Sequence, residues 1–331
     1  MTSILYLSAT SNPHDIRIVK SLSEEFTVDP LLDFNLRSRI STSISEKNYD
    51  FLVYSSLDLE IPWDDINYKS AYGLCMAVEI NESSPESKEF AVIQSNIKKS
   101  TVINVDNYYV QNILRERFEV LCQITDFKYG ADLSIFSGRP QRIQNPPRII
   151  CNRNWTSVHQ NSLVLRALNS LHQDGVDFQS HFLRPPDNQR NSLTEFDDLL
   201  NSGKVEFMDL QTPIEMAKRL NSVDIYVSGT KSDGTSVSLL EAMACQKIVL
   251  VPNHSANLQI INPGVNGYTF EKDNSEDLYR TLLDIMDLKK RKIRKVQKNA
   301  RRFVNIHGNW VNESLKMRNE IKNQLLANGA V

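Results

Sequence analysis

Two carboxylates stand eight positions apart in residues 228–251, SGTKSDGTSVSLLEAMACQKIVLV, with Asp233 in a Gly/Ser/Thr-rich turn and Glu241 in a run of strong helix formers. A turn of this kind feeding a helix presents several backbone N–H groups at the helix N-terminus. Both the unpaired donors and the helix dipole favour an anion there. A phosphate cradle bracketed by carboxylates suits a phosphorylated, hydroxyl-rich ligand, because an ionised carboxylate can accept from a pair of hydroxyls. The chemistry expected of this stretch is nucleotide-sugar binding.

The cradle needs elements to hold it. Residues 223–227 (VDIYV) before the turn and 248–251 (IVLV) after the helix are short apolar runs that read as buried strands, so the stretch is a parallel crossover unit. Similar strand–helix alternation fills the chain. In the first half, 4–7, 51–54, 74–78, 102–105 and 120–125 read as strands. Helices are expected from about Asp15, a carboxylate favoured in a first turn, and over 108–118. In the second half, 148–151, 178–183 and 204–207 read as strands. Helices are expected over 162–171, 193–200, 213–220, 278–286 and 310–326. Between the halves, 137–148 (SGRPQRIQNPPR) has three prolines, one glycine, three arginines and no apolar period, which marks a linker. The expectation is an α/β protein of two Rossmann-like doubly wound domains facing a cleft. Its parts are 1–140, 141–310 and a terminal helix at 311–331.

Composition excludes several classes. At 331 residues, 40% hydrophobic and 24% charged, the chain is long enough for two ordinary globular domains. A net charge of −2 argues against a dedicated nucleic-acid binder. The four cysteines form no CxxC pair and no zinc-ligand spacing, which favours free thiols in a reducing compartment. The first ten residues carry no secretory signal, and no apolar run approaches the roughly 18 residues of a membrane span. The expected location is cytoplasmic. No GxGxxG opens the first domain, so a dinucleotide fingerprint is absent.

Residues 233–244, DGTSVSLLEAMA, resemble the donor signature of family 4 glycosyltransferases, which have the GT-B fold. The likeness extends to Arg153 after the strand at 148–151, to Asn257 with 263–268 (PGVNGY), to 303–310 and, more faintly, to Gly130-Ala131-Asp132. The resemblance implies a retaining transfer of a sugar from a nucleotide-diphosphate sugar to a hydroxyl acceptor, with no metal and no further cofactor. It makes 1–140 the acceptor side and 141–310 the nucleotide-sugar donor domain, and packs the terminal helix at 311–331 back on the first domain. It assigns Glu241 to the ribose hydroxyls and Asp233 to the transferred sugar. The diphosphate falls to the turn of Gly234, Thr235, Ser236 and Val237 and to Arg153. The family's lysine a few residues after that arginine has no counterpart at 157–161, and Lys231 is the cation expected to stand in for it. Asp233 is a methylene shorter than the family's usual glutamate, and Thr10-Ser11-Asn12 replaces its Gly-Gly loop.

Two alternatives are a sugar-nucleotide epimerase and a non-catalytic or partner-dependent subunit. The epimerase needs acid/base groups in the first half, where His14 is the only histidine before residue 159. The lost lysine and Gly-Gly loop favour the subunit. A last feature is 289–302, with nine basic residues and no acid. It reads as a solvated helix face or, more sharply, as a peripheral contact with anionic lipid at the inner membrane face.

Overall fold

Apolar runs with no polar alternation form strands covered on both faces, and the computed structural model builds two all-parallel sheets from them. It describes residues 2–33 and 45–327. The chain divides into two units, Met1–Tyr129 with Val311–Val331, and Gly130–Trp310.

In the first unit the strands are β1 (Ser3–Leu7), β2 (Thr27–Leu31), β3 (Asn48–Ser55), β4 (Asn67–Leu74), β5 (Val102–Asn104) and β6 (Gln123–Thr125). Their order across the sheet is β2-β1-β3-β4-β5-β6. The order reverses at β1/β3, where doubly wound sheets open a crevice at the carboxyl ends of their strands. The helices are α1 (Pro13–Leu22), α2 (Val78–Glu82), α3 (Lys88–Lys99) and α4 (Tyr108–Arg117). The strand expected at 74–78 is displaced: β4 ends at Leu74, and Ala77, with φ of 71°, turns the chain into α2. β2 and α3 were not expected from the sequence. β2 contains Pro30, which an edge strand tolerates. α3 starts at Ser87, whose hydroxyl accepts from the Phe90 amide, and it buries Ile93 and Ile97.

The second unit carries β7 (Arg148–Cys151), β8 (Gln179–Leu183), β9 (Val205–Met208), β10 (Ile225–Val227), β11 (Ile248–Pro252) and β12 (Tyr268–Phe270). Their order is β12-β11-β10-β7-β8-β9, which counted within the unit is the Rossmann order 6-5-4-1-2-3. Its reversal lies between β7 and β10, paired through Ile225–Ile149 and Tyr226–Ile150. Around the sheet stand α5 (Asn161–Gln173), α6 (Asp197–Asn201), α7 (Pro213–Ser222), α8 (Val237–Ala244), α9 (Ser255–Leu258), α10 (Ser275–Met286) and α11 (Lys290–His307). The helix expected at 193–200 is instead a 3₁₀ run, Asp187–Phe196, followed by the short α6.

The proline-rich stretch expected to be a linker is bound into the second unit. The Arg301 guanidinium donates to the carbonyls of Phe136 and Ala244, Asn221 donates to that of Ser137, and Gln246 to that of Gly138. A Cβ on Gly138 would lie 2.5 Å from the Cys245 carbonyl oxygen. Its prolines rigidify a packed segment here. The last helix, α12 (Trp310–Ala327), belongs from Val311 onward to the first unit. Its Arg318 is buried against α1, donating to Ser21 Oγ at 2.6 Å and pairing with Glu24 and Glu25 at 2.8 and 3.2 Å.

Candidate active site at the switch point of the second sheet

β7 and β10 each run into a polar turn at the point of reversal, and these two turns make the site. Asn161 shapes the first: its side-chain amide donates to the Arg153 carbonyl at 2.9 Å, folding the chain after β7 into an open loop. Gln160, in the left-handed region at φ of 47°, turns that loop into α5. Gly229 brings the second turn against it, because a Cβ there would lie 2.8 Å from the Gln160 carbonyl oxygen. The Lys231 amide then donates to the Val158 carbonyl at 2.9 Å and clasps the two turns together.

The Arg153 guanidinium reaches across this seam. One terminal nitrogen donates to Ser236 Oγ at 3.1 Å and Ser238 Oγ at 2.9 Å, and the other pairs with Asp233 Oδ2 at 2.9 Å. Both partners of the ion pair keep some solvent contact, with 14% and 16% of their side-chain surface exposed, so each can exchange partners. Burial works against the Arg153 charge, but Asp233 and other neighbours more than offset it and hold the arginine above its ordinary range. Asp233 also accepts from the Gly234 amide at 3.0 Å through its other oxygen.

Ser238 is the hub of the arrangement. Besides Arg153 it meets the Tyr226 hydroxyl at 2.9 Å and Ser236 Oγ at 3.3 Å. Burial pushes the Tyr226 phenol up to about 12, so it keeps its proton. Ser236 stands at the N-cap of α8, yet its side chain makes no capping bond to the helix amides. A helix start with the Arg153 guanidinium beside it is an arrangement that can accept an anion.

His159 completes the seam. Its ring nitrogens lie 3.4 Å from Arg153, and Nδ1 lies 3.5 Å from Thr230 Oγ1. Burial first, and then the Arg153 charge, push its imidazole down to about 4, with Asp233 opposing.

The structure therefore brings together Arg153, Asp233, Gly234 and Ser236, with Thr235 buried between them. Val237 opens α8, and Glu241 is partly buried one turn further along the same helix. Lys231 joins the site through its backbone. His159, Tyr226, Ser238 and Gly229 were not singled out in the sequence. Ser238 had a weak signal, a hydroxyl at the start of the run of helix formers, while His159 and Gly229 had none that stands out from ordinary loop composition. In the 254–268 segment, Asn257 donates to the Pro252 carbonyl and Asn266 to that of Ile260, both at 2.9 Å, so these two residues hold a loop together.

The first unit has its own switch-point crevice, a cavity of about 770 Å³. Ser8, Thr10, Ser55, Ser56, Asp58 and His14 are among its lining residues, with Trp63.

The sequence family "Glycosyl transferases group 1" matches residues 142–303. An uncharacterized glycosyltransferase of Methanocaldococcus jannaschii, MJ1069, is 29% identical over 111 residues, which is 33% of this chain and 26% of that protein. The match thus spans about a quarter of that relative. Among solved structures, Anabaena Alr3699/HepE in complex with UDP and glucose superposes with a TM-score of 0.78 at 12% identity, covering 98% of this chain and 100% of that one. Sucrose-phosphate synthase from Thermosynechococcus elongatus gives 0.77 at 13% identity, covering 99% and 100%. A glycosyltransferase from Rickettsia africae gives 0.71 at 16%, covering 98% of each chain. Residues 142–303, which contain the whole of this site, match the glycosyl transferases group 1 family, and the chain has the two-sheet GT-B fold of these structures.

Proposed function

We propose that the chain moves a sugar from a nucleoside diphosphate sugar to a hydroxyl acceptor, with retention at the anomeric carbon and without a metal. The observation that carries this reading is the convergence of Arg153, Asp233, Ser236 and Ser238 on the start of α8, at the sheet's switch point. The Anabaena structures of the same fold hold UDP and UDP-glucose, which supports a nucleotide sugar as donor.

In this reading the diphosphate lies on the amides of Gly234, Thr235, Ser236 and Val237. It displaces Asp233 as the counter-ion of Arg153, and Lys231 adds positive charge from the same turn. Asp233, once released, accepts from hydroxyls of the transferred sugar, and Glu241 accepts from the ribose. As the bond from the anomeric carbon to the diphosphate breaks, charge grows on the leaving oxygen, and donors already in place stabilise it without reorganising. The acceptor is assigned to the first unit, whose serine- and threonine-lined cavity suits a polyol, a glycan or the sugar of a glycolipid. The reading includes a cytoplasmic location with peripheral membrane contact through 289–302. Among the described residues no acid pairs with Lys289, Lys290, Arg291, Lys292, Arg294, Lys295, Lys298 or Arg302, and all eight are exposed. No helix among the described residues is long and apolar enough to cross a membrane.

The test is release of nucleoside diphosphate from a panel of uridine, guanosine and adenosine diphosphate sugars. Chelator should leave the rate unchanged, and the anomeric proton of the product should report retention. Absence of turnover and binding across the panel overturns the reading. Salt-sensitive flotation with anionic vesicles is expected, and no flotation at low salt removes the membrane contact. A partner-dependent subunit is the second reading, favoured by the missing lysine at 157–161. It predicts donor binding by the isolated chain, with turnover only in its native complex.

A further inference from the structure

We infer that His159 is a further cation of the diphosphate site, neutral while the site is empty and protonated when a diphosphate sugar binds. The inference rests on the donor reading above and adds a residue and a proton to it.

The geometry places the imidazole on the same anion. The ring sits 3.4 Å from the Arg153 nitrogen that holds Asp233, and 3.5 Å from Thr230 Oγ1 on the opposite turn. It cannot easily withdraw. Gly229 packs against the backbone of His159 and Gln160, where a Cβ would lie 3.3 and 2.8 Å from their carbonyl oxygens, so the loop bearing the ring is fixed against the turn that cradles the anion. The Gln160 side chain anchors the far side of that loop to Asp273 at 2.6 Å.

The charged groups facing the ring are Arg153, on the turn after β7, and Asp233, on the turn after β10. In the empty site burial and the guanidinium keep the ring neutral, and Asp233 counters them only in part. A diphosphate diester brings two negative charges to Arg153, where Asp233 supplies one. The added charge favours the imidazolium, whose second N–H then has an anionic oxygen to donate to. Binding near neutrality therefore takes up a proton from solvent, and donor affinity declines as pH rises from the ring's empty-site value of about 4 to its value in the complex, levelling off above it. A sugar nucleotide has no phosphate proton to lose near pH 7, so this proton is the protein's own.

The test is titration calorimetry with the tightest binder among uridine, guanosine and adenosine diphosphate glucose, in buffers of different ionisation enthalpy between pH 5.5 and 8.5. The wild-type chain should take up as much as one proton at the acid end of this range, with affinity falling as pH rises and levelling where uptake ends. His159→Gln should bind about 10- to 100-fold more weakly at pH 6 and take up none, the loss of one charged hydrogen bond. His159→Lys, charged throughout, should restore affinity and flatten the pH profile, an outcome that a purely structural role for the ring would not give. Wild-type binding with no proton uptake, or with both variants matching its affinity and pH profile, overturns the inference while leaving the donor reading intact. No binding of any of the three by the wild type overturns both.

Discussion

Each sheet reverses strand order once, and each carries an aspartate at its reversal, Asp15 in the first turn of α1 and Asp233 in the turn after β10, yet the two carboxyls do opposite things. Asp15 in the first unit is fully buried and accepts from Tyr6 at 2.6 Å, Ser8 at 2.7 Å and Asn12 at 2.6 Å. Its hydrogen bonds tie the end of β1 and the turn after it to the start of α1. Asp233 in the second unit keeps some exposure and, beyond the neighbouring Gly234 amide, is paired with Arg153. One carboxyl builds its turn, whereas the other occupies a place that a ligand can take. An Asp at the start of a Rossmann helix thus says little about function until its partners are counted.

That contrast breaks most sharply on stability. Asp15→Ala strands two buried donors, Tyr6 and Ser8, and the partly buried Asn12 amide, and should destabilise the first unit by about 3–4 kcal/mol, at roughly 1–1.5 kcal/mol per hydrogen bond. Denaturant unfolding measures this, and a loss under about 1 kcal/mol, less than one such bond, would show that the turn holds together without Asp15. Arg153→Ala is the mirror case: kcat/KM should fall roughly 100- to 1,000-fold, about 3–4 kcal/mol of transition-state stabilisation, with thermal unfolding little changed. A variant that loses activity only in step with its fold would make Arg153 structural.

A pH effect belongs to the first unit. Burial chiefly raises the Glu79 carboxyl to about 7 from an ordinary 4.5, against the pull of the Met76 and Leu57 amides it accepts from. Between these values the folded chain holds a proton that the unfolded chain has released. Stability therefore declines as pH rises from 4.5 to 7 and stays reduced above, by about 3 kcal/mol at most. Glu79→Gln should remove this decline, raising the unfolding temperature at pH 8 but not at pH 4.5, and an equal shift at both would contradict it. The smallest effect is at Ser238, where alanine removes the bond that aims Arg153. It should raise the donor KM about fivefold with kcat nearly unchanged, near 1 kcal/mol for one hydrogen bond.

The second unit was the more legible in sequence for a physical reason. β7, β10 and β11 are covered on both faces and read as unbroken apolar runs, and α8 is a string of strong helix formers between them. In the first unit, β4 carries Asn67, Lys69 and Ser70 before its apolar end, which moved its apparent position to 74–78. β2 is an exposed edge with a proline. Within the site, Asp233 was legible because a charged residue in a Gly/Ser turn is conspicuous, and Arg153 was reached through the family resemblance alone. His159 was not, because its place depends on Gly229, seventy residues on, lacking a side chain. Close approach between distant loops leaves no period and no composition to read.

The central claim is that the turn of 228–237, with Arg153, is a diphosphate-sugar site whose anion takes over the place of Asp233. Calorimetric binding of uridine, guanosine and adenosine diphosphate glucose to the wild-type chain and to Arg153→Ala tests it most directly. The account predicts that at least one of the three binds the wild type and that Arg153→Ala weakens it by about 10- to 100-fold or more, the loss of charged hydrogen bonds to phosphate. Equal binding by both proteins, or by neither, would contradict it.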